Sequence, residues 1–266
     1  MRRISLMIGL LLIFIGVAGT IATFKFNLFT ESEKGEQSFA AANIANLNLD
    51  SDVAQVSIEP GNTDEVTVAW NTGNFRGDWK IHTALNGDTL QIRTDWKQKS
   101  FWSFGLRSKP PVLTIRVPKN HEFKEIQTYN KVGSLDIRHV TADEVSARTS
   151  VAQLALEDIK TTKLTAVSKV GMIEIARSSG RIDVRNDVGS VEIQASELED
   201  DINVKTSVGE IEVNLDRKPA NAMISGTSGI GDVDVFGGNA VYSAGEMKHQ
   251  VKLRTELGTI EVHAKQ

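Results

Sequence analysis

SVGEIEV, residues 207–213, decides the fold because it is not alone. KVGSLDI (131–137), SVAQLAL (150–156), KVGMIEI (169–175), DVGSVEI (187–193), GIGDVDV (229–235) and ELGTIEV (256–262) say nearly the same thing. With Val208 as position zero of its own copy, the equivalents in chain order are Val132, Val151, Val170, Val188, Val208, Ile230 and Leu257. They are separated by 19, 19, 18, 20, 22 and 27 residues. A recurring period near 20 marks a solenoid.

The columns around position zero describe each coil. Position −6 is aliphatic throughout: Ile126, Val145, Leu164, Ile182, Ile202, Ile224 and Val251. Position −2 is small and polar: Asn130, Thr149, Ser168, Asn186, Thr206, Ser228 and Thr255. Positions +3 and +5 are aliphatic again, from Leu135 and Ile137 to Ile260 and Val262. Period-two alternation on both sides of position zero predicts two short strands per coil. The dominance of β-branched residues suits a pleated, half-buried surface. Position +1 is glycine in six copies, Gly133, Gly171, Gly189, Gly209, Gly231 and Gly258, with Ala152 as the exception. The glycine falls where the alternation changes phase, so it reads as a corner that needs positive φ or close backbone approach. A phosphate-cradling loop would need a following helix and a lysine–serine signature, which these copies lack.

The fold class is therefore all-β: a single-stranded β-solenoid, or β-helix, of about 19–20 residues per coil, with equivalent strands stacked in parallel about 4.8 Å apart. Right-handed coiling is expected, as for parallel crossover connections. The −2 column is expected to point inward and bond from coil to coil. A degenerate eighth copy lies upstream in NLNLDSDVAQVSI, with Val53 at position zero. The stretch between it and the regular array has a different texture, including a hairpin signal at Asn86-Gly87. Residues 44–120 are expected to be an antiparallel region that starts or caps the solenoid, and 121–266 the repeats. A cap is needed because open strand edges invite aggregation.

The N-terminus reads differently. After MRR, the 21 residues from Ile4 to Phe24 carry no charge. As a helix they span about 30 Å, the thickness of a bilayer core. Residues 1–25 are expected to be a cytoplasmic stub and transmembrane helix, with Arg2 and Arg3 inside, followed by a linker over 26–43. The small residues of VAGTIAT also suit a cleaved signal. The expected location is the cell membrane, single-pass, with everything beyond Lys25 outside. The chain of 266 residues has no cysteine, which excludes disulfides, thiolate metal sites, cysteine nucleophiles and a lipidated-cysteine anchor. A net charge of −4 argues against a nucleic-acid partner.

These pieces resemble a bacterial family of unknown function whose members are labelled adhesins and include the membrane-anchored G protein of the Lia cell-envelope stress operon. The residues that carry the resemblance are the N-terminal apolar segment, the opening LNLDSDVAQVSIEPG and the repeated valine–glycine coils over 44–266. It implies an extracytoplasmic β-solenoid of the bacterial envelope, and it implies no catalytic residues.

The sequence offers little chemistry. His82, His121, His139, His249 and His263 are scattered without HxH or HExxH spacing, and no G-x-S-x-G elbow occurs. No cofactor or metal is expected. Position +4 carries Asp136, Glu174, Glu192, Glu212, Asp234 and Glu261, alternating with apolar +3 and +5 and therefore facing solvent. Glu174, Glu192 and Glu212 are expected to stack in a row, either as a solvated face or as a ladder for divalent cations or a cationic polymer. Position −3 carries Arg148, Arg185, Lys205 and Arg254, a row that suits anionic wall polymers. In DWKQKSFWSFGLRSKPP, Trp96, Phe101, Trp102 and Phe104 are interleaved with lysine and arginine. That texture suits either a cover over the open end of the core or a contact with membrane, sugar or protein. The function expected is a non-enzymatic, membrane-anchored envelope protein whose partner is a cell-wall polymer or a membrane protein. A polysaccharide-active β-helix enzyme and a regulator of a membrane protein are the alternatives.

Overall fold

The computed structural model describes residues 33–73, 75, 78–97, 109–238 and 240–265. The apolar segment at 4–24 lies outside them. Among the described residues no helix is long and apolar enough to cross a membrane. Apart from one 3-10 turn at Ala41–Asn43, the regular structure described is all β.

Six strands precede the regular array: β1 (Lys34–Ala40), β2 (Asn46–Gly61), β3 (Glu65–Asn71), β4 (Asp78–Asn86), β5 (Thr89–Lys97) and β6 (Val112–Pro118). β7 (Glu122–Arg138) and β8 (Thr141–Glu157) are each a whole coil drawn as one bent strand. Later coils divide at the glycine, giving β9 (Lys163–Val170) with β10 (Ile173–Ala176), β11 (Arg181–Val188) with β12 (Val191–Ala195), and β13 (Ile202–Val208) with β14 (Ile211–Leu215). The last two coils are β15 (Ala222–Ile230) with β16 (Val233–Val235) and, after the short β17 (Val241–Ser243), β18 (His249–Leu257) with β19 (Ile260–Ala264).

Pairing is parallel and in the register that the repeat predicts: Val132, Val151, Val170, Val188 and Val208 lie opposite one another in turn. Alternate residues at −6, −4 and −2 point inward, and so do those at +3 and +5, from Leu135 and Ile137 to Val213 and Val262. The inward set changes parity at the corner, so position zero points outward: Val132, Val151, Val170, Val188, Val208, Leu257 and Ile230 are all exposed. The corner itself needs glycine for two reasons, both visible at Gly209. Its φ is +143°, and a Cβ there would sit 1.8 Å from the Gly189 carbonyl oxygen of the coil below. The other five corner glycines share the positive φ, whereas Ala152 makes the same turn without it.

The upstream copy is a true coil. β2 lies parallel on β7, with Val53 opposite Val132 and Ser51 opposite Asn130. The region 44–120 is accordingly not wholly antiparallel as expected. β5 and β6 both pair in parallel with β2, on Asn46–Ser51 and Gln55–Gly61 respectively, and so form a further coil over it. Antiparallel strands then close the outer edge: β4 on β5, β3 on β6, and β1 on β3. β1 occupies part of the stretch read as linker, with Phe39 packed against the core. The β4–β5 hairpin forms where expected, with Gly87 supplying the positive φ.

The other end departs from chain order. β13 and β14 do not pair with β15 and β16. They pair with the last coil, Val204 opposite Leu253 and Val213 opposite Val262. β15 and β16 lie on the far side of that last coil, Ile224 opposite Val251 and Val233 opposite Ile260. The C-terminal coil is thus inserted between two coils that are neighbours in sequence. β17 closes β15 in antiparallel pairing.

Candidate functional site

The outward columns are the surface this fold offers. On the second strand of each coil, Glu174 faces Glu192, Glu192 faces Glu212, and Glu212 faces Glu261, with Asp234 beyond. The expected row is therefore formed and continues through the inserted coil. In water each neighbouring pair at about 4.8 Å repels by about 1 kcal/mol before screening. Most coils supply an answer two residues on, at position +6 on the same side of the strand. Gln194 Nε2 donates to Glu192 Oε1 (2.6 Å), Asn214 Nδ2 to Glu212 Oε1 (2.8 Å), and His263 Nε2 lies 3.0 Å from Glu261 Oε2. At the head of the column Arg138 forks onto Asp136, and that hydrogen bond holds its guanidinium above the ordinary arginine pKa. Asp234 accepts from the Gly237 and Gly238 amides. Among the described residues no group of three or more histidine or carboxylate side chains converges to hold a metal ion.

The first strand carries a face of the opposite character. Arg185, Lys205 and Arg254 are exposed and lie opposite one another in consecutive registers. They line an open groove of about 600 Å³ together with Lys252 and the neutral side chains of Asn203, Ser207, Ser225 and Thr227. None of these four cations has a carboxylate oxygen within 4 Å among the described residues, although Asp187 also lines the groove. The nearby carboxylate of Asp183 is already taken by Arg181 Nε (3.2 Å) and Asn203 Nδ2 (3.3 Å). Arg148 belongs to the same column but is separated from Arg185 by Val167.

A second groove runs along the opposite edge, lined by Arg177, Glu197, Glu199, Asp216, His263 and Lys265 among others. It gathers carboxylates beside cations, as a glycan-cleaving site would. Two of those carboxylates are tied in ion pairs, Glu197 with Arg217 and Asp216 with Lys265. Nearby, His139, Asp158 and Arg177 stack with positive φ, His139 Nδ1 lying 3.2 Å from Asp158 Oδ2 and Arg177 Nε 3.0 Å from Asp158 Oδ1. Hydrogen bonds to Asp158 and then Glu157 raise the Arg177 pKa.

The −2 column points inward, buried at every coil but the one carrying the half-buried Ser228, and several of its side chains bond to the adjoining coil as expected. Most of these bonds go to the backbone carbonyl at +1 of the adjoining coil, Asn130 Nδ2 to Ala54 O (3.1 Å), Asn186 Nδ2 to Gly171 O (3.0 Å) and Ser228 Oγ to Gly258 O (2.8 Å), whereas Thr94 Oγ1 donates to Ser51 Oγ (2.9 Å). The hydroxyls of Thr149, Ser168 and Thr206 have no hydrogen-bond partner, whereas those of Ser228 and Thr255 reach the corner carbonyl.

Of the aromatic segment, Phe101, Trp102 and Phe104 lie outside the described residues. Trp96 is the penultimate residue of β5, half-buried, with its backbone amide donating to Asp52 Oδ2 (3.2 Å) and its ring 5.9 Å from that of Phe75. Its cross-strand partner Trp79 is buried and donates Nε1–H to Val53 O (3.0 Å), covering the corner of the β2 coil. Trp79 escapes sequence reasoning because nothing in DWKIH marks it as a lid over a residue 26 positions upstream.

A family model described as Toastrack DUF4097 matches residues 44–263. No curated protein matches the chain. Among solved structures, the fold is similar to that of a candidate cell adhesion protein from Clostridium sporogenes, at 15% identity over 88% of this chain and 100% of that one, with a TM-score of 0.40. It is also similar to a candidate adhesin from Bacteroides fragilis (13% identity, 87% and 97% covered, TM-score 0.47). A candidate lipid-binding protein from Parabacteroides distasonis is similar at 13% identity (86% and 97% covered, TM-score 0.34).

Proposed function

This chain belongs to the Toastrack DUF4097 family, and from that premise we propose a non-enzymatic, membrane-anchored protein of the bacterial cell envelope. It holds a rigid β-solenoid outside the membrane as an interaction module, with service in the envelope-stress response as the finer role. The observation that carries this is the surface of the stack. Columns of like residues run from coil to coil, so a single contact is repeated about every 4.8 Å and serves an extended partner better than a small substrate. The uncharged run Ile4–Phe24 after Arg2 and Arg3 supports the anchor.

The test is topology in cells. Full-length chain with a C-terminal tag is expected in the membrane fraction, resistant to carbonate extraction, with residues 4–24 still attached by mass. The tag is expected to be lost when protease is added outside intact protoplasts. A tag protected inside the cell overturns the proposal. Release into the medium without residues 1–24 keeps the outside location and overturns the anchor.

A further inference from the structure

The inserted C-terminal coil has a chemical consequence. In chain order, Lys205 would be followed in its column by Thr227, and the cation row would stop at two. Insertion places Arg254 opposite Lys205 and pushes Thr227 one register further out, so that Arg185, Lys205 and Arg254 form an unbroken file. Lys252, from the same inserted coil, lies opposite Asn203 and Ser225 and adds a fourth cation beside the file. These groups are exposed and line one groove, and none forms an ion pair within 4 Å among the described residues, although Asp187 and Glu256 stand two residues from Arg185 and Arg254 on the same strands.

Like charges held in file without close ion-pair partners are a fixed field that favours an anion. The file is linear, runs along the stacking axis and is flanked by amide and hydroxyl donors, which suits a chain rather than a single ion or a flat surface. Arginine at both ends supplies planar forks that match phosphate oxygens.

We propose that this groove binds a linear, phosphate-bearing polyanion, and that the C-terminal coil completes the site. The choice of a polymeric ligand rests on the envelope reading above. Localisation outside the membrane combined with no polymer binding would overturn this proposal alone.

The experiment uses the full-length chain in detergent, with fluorescent inorganic polyphosphate as the probe and polyglutamate of equal charge and soluble glycerol phosphate, the phosphate of a lipid headgroup, as comparisons. Polyphosphate is expected to bind more tightly than either. The double variant K205Q/R254Q is expected to weaken it at least tenfold and to reduce the slope of log affinity against log salt by about two, one per cation. The control K119Q/K124Q, with the same change of charge on a turn and strand far from the groove, is expected to leave affinity within twofold. Both variants keep their melting transitions, because the substituted groups are exposed. Equal weakening by the control, equal binding of polyglutamate, or equal binding of glycerol phosphate would each overturn the proposal.

Discussion

Two outer faces of one solenoid share a lattice and differ in partnership. On the acidic face, Glu192, Glu212 and Glu261 each meet a donor two residues along the same strand, in Gln194, Asn214 and His263. On the basic face, the residues two positions from Lys205 are Asn203 and Ser207, neither able to neutralise it; beside Arg185 the carboxylate of Asp183 is engaged elsewhere, and Asp187 and Glu256, two residues from Arg185 and Arg254, form no ion pair with them. Parallel stacking turns any charged column into a row of like charges, so charge alone distinguishes nothing. What distinguishes the faces is whether each coil answers its own charge. One face is largely satisfied within the coil, and the other is left for something outside.

The comparison depends on the lattice, and the most severe way to break it is at the corner. Gly209→Val combines a left-handed backbone with a clash against the Gly189 carbonyl, and is expected to lower unfolding free energy by about 3 kcal/mol in denaturant titration. An unchanged midpoint would refute the corner geometry. A smaller effect of opposite sign is expected just beneath the basic face. Thr206 is fully buried with its hydroxyl unpartnered, so the nearly isosteric Thr206→Val is expected to raise stability by about 1 kcal/mol in the same titration. The least expected effect compares the faces directly. K205Q/R254Q removes repulsion and breaks no bond, and is expected to stabilise by a few tenths of a kcal/mol at low salt. E192Q/E212Q removes repulsion but weakens the hydrogen bonds from Gln194 and Asn214, and is expected to give no gain. Equal gains from both would erase the distinction.

Much of this lattice was legible in the sequence because a coil repeats its instructions. The columns at −6, −2, +3 and +5 and the glycine at +1 named the strands, their register and the acidic row. Coil order was not legible, for the same reason. The coils at 222–235 and 249–264 carry interchangeable columns, so either satisfies the edge of β13 and β14, and no residue announces which lies inside. The coil formed by β5 and β6 was hidden because an insert stands where the corner should be. Thr94 and Leu113, which take the −2 and +3 places above Ser51 and Val56, are 19 residues apart instead of 5. The basic groove was half legible: its cations could be read from the −3 column, but the lack of close ion pairs depends on how Asp183, Asp187 and Glu256 are placed, and the third cation on the insertion.

The insertion is therefore the point on which fold and site both turn. The chain has no cysteine, so a cysteine pair can be placed without interference. Asn203 lies directly opposite Lys252, about 4.8 Å across a parallel ladder, while Ser225 is one strand further away. A thiol cross-linker of about 5 Å reach, read by peptide mass spectrometry, is expected to join N203C/K252C efficiently and to leave N203C/S225C open. Efficient joining of N203C/S225C with N203C/K252C left open would show the coils stacked in chain order, and would contradict both the fold's closing step and the cation file built on it.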